Sequence, residues 1–415
     1  MLVSVAVRRL QLWLRGLRYR EQDAGLIDPL ELLRIDLCWS MVVGWSIVDT
    51  LRGAEAQALH LVLALRSGEP GRVALALAAE AGYATVRGKR SLRRVPQLLA
   101  SALETAQRTN SPRALALATF SAAMQSWVHG DFPRAFELCE QAEDTYRTRC
   151  TGVAWEIETT QIFALACLAW MGRLKELAAR LVPLRRAAEQ RGDRYGSASL
   201  TLLTHSWLVH LAEDQPDLAE REIADAMQAW PSRGFHLQHF WALFGRFEST
   251  LYRGHTGLAA EIAEQQRGAI RRSLLLANPA GRFFAAHLHA CSLLAAASDV
   301  RHLPAFRDQR LRAAAKGMRT MSRQQMLPSR PMVELMSAGA AAIRGHNDEA
   351  RARYASAERG FEAVHMDLYA AVARRRRGEL TGGDEGRTLM ASADAWMQSQ
   401  SVRNPSRLTA TLAPG

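Results

Sequence analysis

The stretch that decides the fold is Ser111–Thr148, SPRALALATFSAAMQSWVHGDFPRAFELCEQAEDTYRT. Its apolar residues recur at helical spacing on both sides of Gly130, a residue type that ends helices. Ala123 lies before the glycine, and Ala135 and Ala142 lie after it, where small side chains let two helices approach closely. The stretch is therefore predicted to fold as two helices joined by a tight turn.

Breaks of this kind recur along the chain at a nearly constant interval. The intervals between Gly88, Gly130, Gly172, Asp214 and Gly254 are 42, 42, 42 and 40 residues. A fixed period with two helices in each repeat indicates stacked hairpins, because a single hairpin cannot bury its own apolar face. The sequence therefore predicts an all-α fold, an α-solenoid of about nine antiparallel helix hairpins with a period near 42 residues. The predicted hairpins span residues 31–67, 70–109, 113–148, 154–191, 194–230, 236–274, 279–322, 331–363 and 367–400.

Other repeats keep the turn glycine and the small residues found in Ser111–Thr148. The matching positions are Gly172, Ala219, Ala226, Gly254, Ala259, Ala338, Gly345, Ala350 and Ala357. Leu177 departs from the pattern, because it stands where a small residue is expected. The array resembles degenerate tetratricopeptide repeats whose units run longer than the standard length of about 34 residues.

The quality of this match predicts four regions. Residues 1–30 are expected to form a basic amphipathic helix and a linker. Residues 31–110 are expected to form divergent hairpins, and residues 111–363 the tetratricopeptide-like array. Residues 364–415 are expected to form a capping hairpin and a tail.

The N-terminal helix has an apolar side and a basic side. The apolar side comprises Leu10, Trp13, Leu14 and Leu17, and arginines occupy the opposite side. We expect this helix to cap the array. The alternatives are docking on a partner domain and lying on a membrane surface.

Composition restricts the partners and the compartment. The net charge is +12, but 50 of the 53 basic residues are arginines scattered along helices among glutamates, so nucleic acid is not an expected partner. The five cysteines stand alone, without a CxxC pair, which fits a reducing cytoplasm. The best candidate for a membrane span, the twelve residues between Asp36 and Asp49, is too short to cross a bilayer. A cytoplasmic protein without a transmembrane segment is predicted.

Known catalytic patterns are approached in three places and completed in none. Gly82–Arg90, GYATVRGKR, has one residue too many for a phosphate-binding loop and arginine in place of the magnesium-binding hydroxyl. His236 and His239 share a helical face but lack further metal ligands, so caps or packing are the better interpretation. Cys150 has no nearby base, which favours a packed thiol over a nucleophile. The sequence therefore predicts no catalytic, cofactor-binding or metal-binding residue and no enzymatic activity.

Three aromatic residues are the candidate binding residues. Trp127, Trp170 and Tyr252 fall late in the first helix of their repeats, the helix that lines the concave groove of such arrays. With arginines nearby, their rings could grip an acidic or aromatic peptide. The alternative is that these rings pack between hairpins.

Five stretches carry a further signal. They are Arg15–Glu21 (RGLRYRE), Leu33–Trp39 (LRIDLCW), Arg149–Glu156 (RCTGVAWE), Gly234–His239 (GFHLQH), and the segment from Gly383–Gly386 (GDEG) to Asn404 and Pro405. These stretches resemble the C-terminal region of certain bacterial multidomain serine/threonine kinases, which join a kinase domain, an AAA-type ATPase module and a tetratricopeptide-like tail. The likeness spans almost the whole chain but covers only the tail of such proteins. It implies a role in bacterial signalling, without the kinase or ATPase activity itself.

Three functional hypotheses stay open at this point. The leading one is a non-catalytic protein-interaction scaffold or sensor module of a bacterial kinase/ATPase signalling system, with a kinase or ATPase module as partner. The alternative is a small-ligand-sensing regulatory tail of an ATPase-type regulator, and the third is an enzyme with an unrecognised helical site. Self-association through the ends of the solenoid is also expected, because an uncapped end exposes apolar surface. Buried polar residues in a cluster would favour ligand sensing, and an open groove with exposed aromatic residues would favour peptide binding.

Overall fold

The computed structural model describes residues 2–46, 49–228, 230–231, 234–299 and 304–415, and these residues form helices and no strand. The first helix, α1, spans Leu2–Arg15. The helices that follow come in pairs along the chain. The pairs are α2 (Pro29–Ser46) and α3 (Thr50–Ser67); α4 (Pro70–Val86) and α6 (Val95–Arg108), with the short α5 (Lys89–Leu92) between them; α7 (Pro112–His129) and α8 (Phe132–Arg149); α9 (Ala154–Met171) and α10 (Leu174–Gln190); α11 (Arg194–Leu202) with α12 (Trp207–Ala212), and α13 (Pro216–Gln228); α14 (Leu237–Tyr252) and α15 (Thr256–Arg272); α16 (Pro279–Ser298) and α17 (Pro304–Ser322); α18 (Ser329–Ile343) and α19 (Asn347–Glu362); α20 (Asp367–Thr381) and α21 (Gly383–Ser399). A last helix, α22, spans Pro405–Leu412.

Each predicted hairpin corresponds to one of these pairs, so the all-α class and the succession of helix hairpins are confirmed. The helices of a pair pack against each other, for example in α2/α3, α4/α6, α16/α17, α18/α19 and α20/α21. Two of these pairs lie in regions where the repeat pattern is weakest, residues 31–67 and 279–322. Helical periodicity, which does not depend on the signature residues, was sufficient to place them.

The helices belong to two compact units. Unit 1 comprises Met1–Ser126 and Arg134–Gln161, and unit 2 comprises Trp127–Pro133 and Ile162–Gly415. The division falls inside α7, α8 and α9, whereas the regions predicted from the repeat pattern change at residues 30, 110 and 363.

The signature residues lie at the tight points of the hairpins. The nine alanines Ala123, Ala135, Ala142, Ala219, Ala226, Ala259, Ala338, Ala350 and Ala357 are all buried. The four turn glycines Gly130, Gly172, Gly254 and Gly345 all have left-handed φ angles of 79° or 80°. Alanine is small enough for close helix contact, and glycine adopts a left-handed φ without the steric cost that other residues meet.

Two of these glycines also lie against a distant part of unit 2. A Cβ atom added to Gly130 would lie 2.3 Å from Pro328 Cδ, and one added to Gly172 would lie 2.3 Å from Leu368 Cβ. Nothing lies within 4 Å of the same atom at Gly254 or Gly345. The first two turns are therefore packed against later hairpins, and the other two are open.

Further contacts join early and late segments of unit 2. The Leu327 amide donates to the His129 carbonyl over 2.8 Å, and the Arg403 amide donates to the Ala212 carbonyl over 2.7 Å. Helix α22 packs on α14 and α20 and buries Leu408 among them. Within unit 2 the hairpins thus curl far enough for segments more than a hundred residues apart to touch.

We predict that alanine at Gly172 destabilises the protein more than alanine at Gly345. Both substitutions impose the left-handed φ penalty of about 1–2 kcal/mol. Only Gly172→Ala adds the clash with Leu368, which should cost about 1–3 kcal/mol more. Urea unfolding of the full chain followed by circular dichroism measures the two free energies. Equal losses for the two variants would contradict the packed turn.

Candidate functional site

Exposed apolar side chains concentrate at the N-terminal end of unit 1. Among the described residues, fifteen large hydrophobic side chains are exposed, and nine of them precede residue 42. These nine are Val7, Leu10, Trp13, Leu14, Leu26, Leu30, Leu33, Leu37 and Met41. Apolar side chains that are exposed in groups mark interaction sites, whereas single exposed hydrophobic residues are ordinary.

Helix α1 packs on unit 1 through its basic side. Arg9 donates from Nη1 to Glu80 Oε2 on α4 over 2.6 Å and from Nη2 to Gln57 Oε1 on α3 over 2.8 Å. Arg15 donates from Nη2 to the Leu65 carbonyl over 2.6 Å. These bonds hold the arginine side of α1 toward the body of unit 1.

Glu80 is the acceptor that fixes this orientation. Burial alone would raise the pKa of its carboxyl group, but Arg9 and Arg87 outweigh that effect and hold the pKa below its usual value. Arg87 donates to the second carboxylate oxygen. Removal of either arginine would leave part of a buried charge uncompensated, which is strongly destabilising.

The apolar side of α1 consequently faces solvent. Trp13 is 72% exposed and Leu14 is 71% exposed, and Leu10 and Val7 continue the same face. The arginine side of α1 therefore makes the contact with α3 and α4, and the expectation that this helix caps the array stays a prediction. The apolar face defined by Val7, Leu10, Trp13 and Leu14 is called the α1 face below.

Helix α2 exposes a second apolar face. Leu30, Leu33, Leu37, Ser40 and Gly44 follow one another at alternating spacings of three and four residues and are all exposed. The opposite side of α2 is buried, with Ile35, Cys38, Trp39 and Val42. The alternating spacing of three and four residues is visible in the sequence. The repeat pattern, however, is centred on the turn glycines, so it did not predict that this face of α2 is exposed. The row from Leu30 to Gly44, together with Leu26 and Met41, is called the α2 face below.

The side chains of the α2 face become smaller along the helix. The first half of the face carries leucines, and the second half carries Ser40 and Gly44. These two small residues leave a shallow apolar depression bordered by Leu37, Met41 and Trp45. Among the described residues, a Cβ atom added at Gly44 would meet nothing within 4 Å. The depression is therefore open to a side chain from outside.

The predicted groove aromatic residues lie in the interior of unit 2. Trp170 is 4% exposed, and its ring stacks on Phe284 at 4.9 Å and on Tyr369 at 6.2 Å between centroids. Trp127, which is half-buried, lies 5.7 Å from the same Phe284 ring. These contacts correspond to the packing alternative.

Tyr252 is also buried in unit 2, and its hydroxyl donates to Asp214 Oδ1 over 2.7 Å. Burial is the main cause that raises the pKa of this phenol, and Asp214 adds to it. Like Trp170, Tyr252 does not offer an exposed ring to a peptide.

A cluster of polar side chains lies among these aromatic rings. Trp207 donates from Nε1 to Glu248 Oε2 over 2.6 Å. The His205 ring lies 4.3 Å from the Trp241 ring, and the His287 ring stacks on Phe244 at 5.8 Å. All of these side chains are buried, so the polar groups belong to a packed interior.

Burial sets the protonation of this cluster. It lowers the pKa of His205 to about 3 and that of His287 to about 4, so both imidazoles are neutral at pH 7. Burial also raises the pKa of Glu248 to about 7, against the opposing hydrogen bond from Trp207. Glu248 is therefore the group in the cluster that changes charge near neutral pH.

The three near-matches to catalytic patterns have structural roles. Gly82 lies inside α4, where an added Cβ would approach Ser121 Oγ to 3.2 Å, so no loop is available for a phosphate. The His236 amide donates to His239 Nδ1 over 3.2 Å at the start of α14. Burial raises the pKa of the half-buried Cys150 thiol, which disfavours the nucleophilic thiolate.

Within the part of the chain that the structure describes, no three His, Cys, Asp or Glu side chains come together to hold a metal ion. None of the described helices is long and apolar enough to cross a membrane.

No protein-family model matches the chain, and no curated protein matches it. The candidate sites are therefore defined by the geometry of unit 1 and unit 2 alone. They are the exposed α1 and α2 faces and the buried polar cluster around Glu248.

We predict that Glu248→Gln stabilises the protein increasingly as the pH rises. The raised pKa means that the folded state holds the proton more tightly than the unfolded state, so the stability contributed by neutral Glu248 is lost as the pH rises from the ordinary value of 4.5 to about 7, and the loss levels off above that. Glutamine keeps an acceptor for Trp207 and cannot ionise. Between pH 5 and pH 8 the stabilisation by the substitution should grow by about 2–3 kcal/mol.

Urea unfolding at pH 5, 6, 7 and 8 measures this difference, and contributions from His205 and His287 cancel because both chains contain them. Glu261→Gln, at an exposed position on α15, is the matched control and should give a difference independent of pH. A constant difference for Glu248→Gln would show that the carboxyl group does not change charge in this range.

Proposed function

We propose that the chain is a non-catalytic protein-interaction module that binds a partner through the α1 face. The carrying observation is the orientation of α1, whose arginines are held inward by Glu80, Gln57 and the Leu65 carbonyl while its apolar residues face solvent. To bury Trp13 and Leu14 against α3 and α4, helix α1 would have to rotate about its axis, and Glu80 would lose its contact with Arg9. Partner binding covers the same residues without that cost.

The α1 face has the composition of an interface anchor. Trp13 is the kind of residue that contributes most to binding when a partner buries it, and the exposed Leu14 and Leu10 surround it. Arg18 and Arg20 are exposed just beyond α1 and add positive charge at its edge. The surface fits a protein partner with an apolar groove and an acidic rim.

The class of partner rests on the family resemblance. A tail of a bacterial kinase–ATPase protein would contact a kinase or ATPase module, and we propose such a module as the occupant of the α1 face. The concave-groove mode of peptide binding has less support, since Trp170 and Tyr252 are buried in unit 2.

Small-ligand sensing is the second candidate, and the buried polar cluster around Glu248 favours it. The cluster is packed, however: Trp207 contacts Glu248, and His287 lies against Phe244. The depression bordered by Leu37, Met41 and Trp45 belongs to unit 1 and includes none of these residues. The exposed faces therefore support protein interaction more directly.

We predict that the double variant Trp13→Ala/Leu14→Ser loses the partner and keeps its stability. Substitutions at exposed positions change the free energy of unfolding by no more than about 0.5 kcal/mol. The loss of a buried tryptophan anchor should weaken binding by at least ~30-fold. Affinity purification of the full chain from native lysate, with mass spectrometry of proteins and metabolites, measures the outcome.

The matched control is Leu258→Ser, which removes an exposed leucine on α15. A kinase or ATPase that is enriched by the wild-type chain and by this control, and lost with the double variant, supports the proposal. A partner retained by the double variant contradicts the α1 face. A metabolite recovered without any protein partner contradicts the interaction module itself.

A further inference from the structure

We infer that the α2 face is a self-association site, on which a second copy of this chain docks its own α2 in antiparallel orientation. This inference goes beyond the proposed partner site, because it concerns a different helix face and a different occupant. It rests on the pattern of large and small residues along α2 and on the area that the face exposes.

The face is complementary to itself only when one copy is reversed. A two-fold axis that crosses the face midway between Leu33 and Leu37 places Leu30 opposite Ser40 of the second copy. The same axis places Leu33 opposite Leu37. Gly44 then lies opposite the end that carries Leu26. Each bulky side chain meets a small residue or a single leucine, so the two helices interdigitate along their length.

The depression beside Ser40 and Gly44 supplies the hole for this packing. It is apolar, it is bordered by Leu37, Met41 and Trp45, and no described residue lies within 4 Å of a Cβ atom added at Gly44. A leucine from the reversed copy fits it by size. A parallel pairing would instead place glycine on glycine and serine on serine, leaving the depression unfilled.

The exposed area is sufficient for a specific dimer. Leu26, Leu30, Leu33, Leu37 and Met41 are 84%, 62%, 52%, 55% and 49% exposed. With a full residue surface of ~180–200 Å², these fractions amount to roughly 550 Å² on one copy and ~1,100 Å² on two, just above the ~1,000 Å² that a specific interface needs. The α2–α2 contact alone can therefore hold two chains together.

The charges beside the face argue against a lipid surface as the occupant. Asp28 and Asp36 are exposed and Glu31 is half-buried, against the single exposed arginine of α2, Arg34, so carboxylates, which repel anionic headgroups, outnumber cations here. Asp36 is already bound by Arg72, with Nη2 to Oδ2 at 2.6 Å, so it does not call for a cationic partner either. The α2 face and the charges beside it therefore fit an apolar helix of limited length.

We predict that the full chain is a dimer that Gly44→Leu dissociates. The added side chain fills the depression and blocks the reversed leucine, while its own Cβ has free space in the monomer, so the fold is retained. Leu33→Glu, which places a charge at the centre of the contact, should have the same effect. Analytical ultracentrifugation should show a dissociation constant at least ~10-fold higher for both variants.

Leu258→Glu, on α15, is the matched control and should remain dimeric. Circular dichroism confirms that each variant is folded. Tighter association of Gly44→Leu would overturn the size complementarity, since it would mean that added apolar surface alone drives the contact. A wild-type chain that is monomeric at about 100 µM would overturn the dimer.

Cross-linking tests the antiparallel register. Chains with Leu30→Cys and chains with Ser40→Cys should form an interchain disulfide when mixed, and neither should cross-link with itself beyond the wild-type background. Self-cross-linking of either single variant would overturn the reversed pairing. None of these substitutions touches the α1 face, so a failed dimer and a failed partner site give separate results.

Discussion

A helix hairpin in an array of this kind has apolar surface that it cannot bury on its own. The array therefore depends on neighbours, and its stability comes from contacts between successive hairpins as much as from those within one. In unit 2 neighbouring hairpins bury this apolar surface, and the rings of Trp170, Phe284 and Tyr369 pack together in the interior. In unit 1 the outer face of α2 has no such neighbour among the described residues.

Local signals in the sequence account for the helices. Turn glycines with left-handed φ, proline at helix starts and helical periodicity act over a few residues, so all nine hairpins could be placed from the sequence. The buried alanines Ala135 and Ala350 follow from the same pattern. Even the weakly matching hairpin at 279–322 was placed, because its apolar spacing alone is sufficient.

Contacts between distant residues could not be predicted in this way. The sequence shows that α1 has two sides, but the side that packs depends on Glu80, 71 residues away from Arg9. The ring of Trp170 likewise packs on Tyr369, 199 residues further along the chain. A single sequence contains no signal for such pairings, so the exposed α1 face and the filled interior of unit 2 had to come from the structure.

The inward arginines of α1 have a consequence for the dissection of this protein into smaller pieces. Helix α1 resembles a dispensable extension, because its outer surface is bare and its sequence lies outside the repeats. A chain shortened to begin after Arg15 would nevertheless lose Arg9, one of the two cations that neutralise Glu80, together with the hydrogen bond to the Leu65 carbonyl. The boundary of the smallest stable fragment on this side therefore lies at α1, ahead of the first repeat.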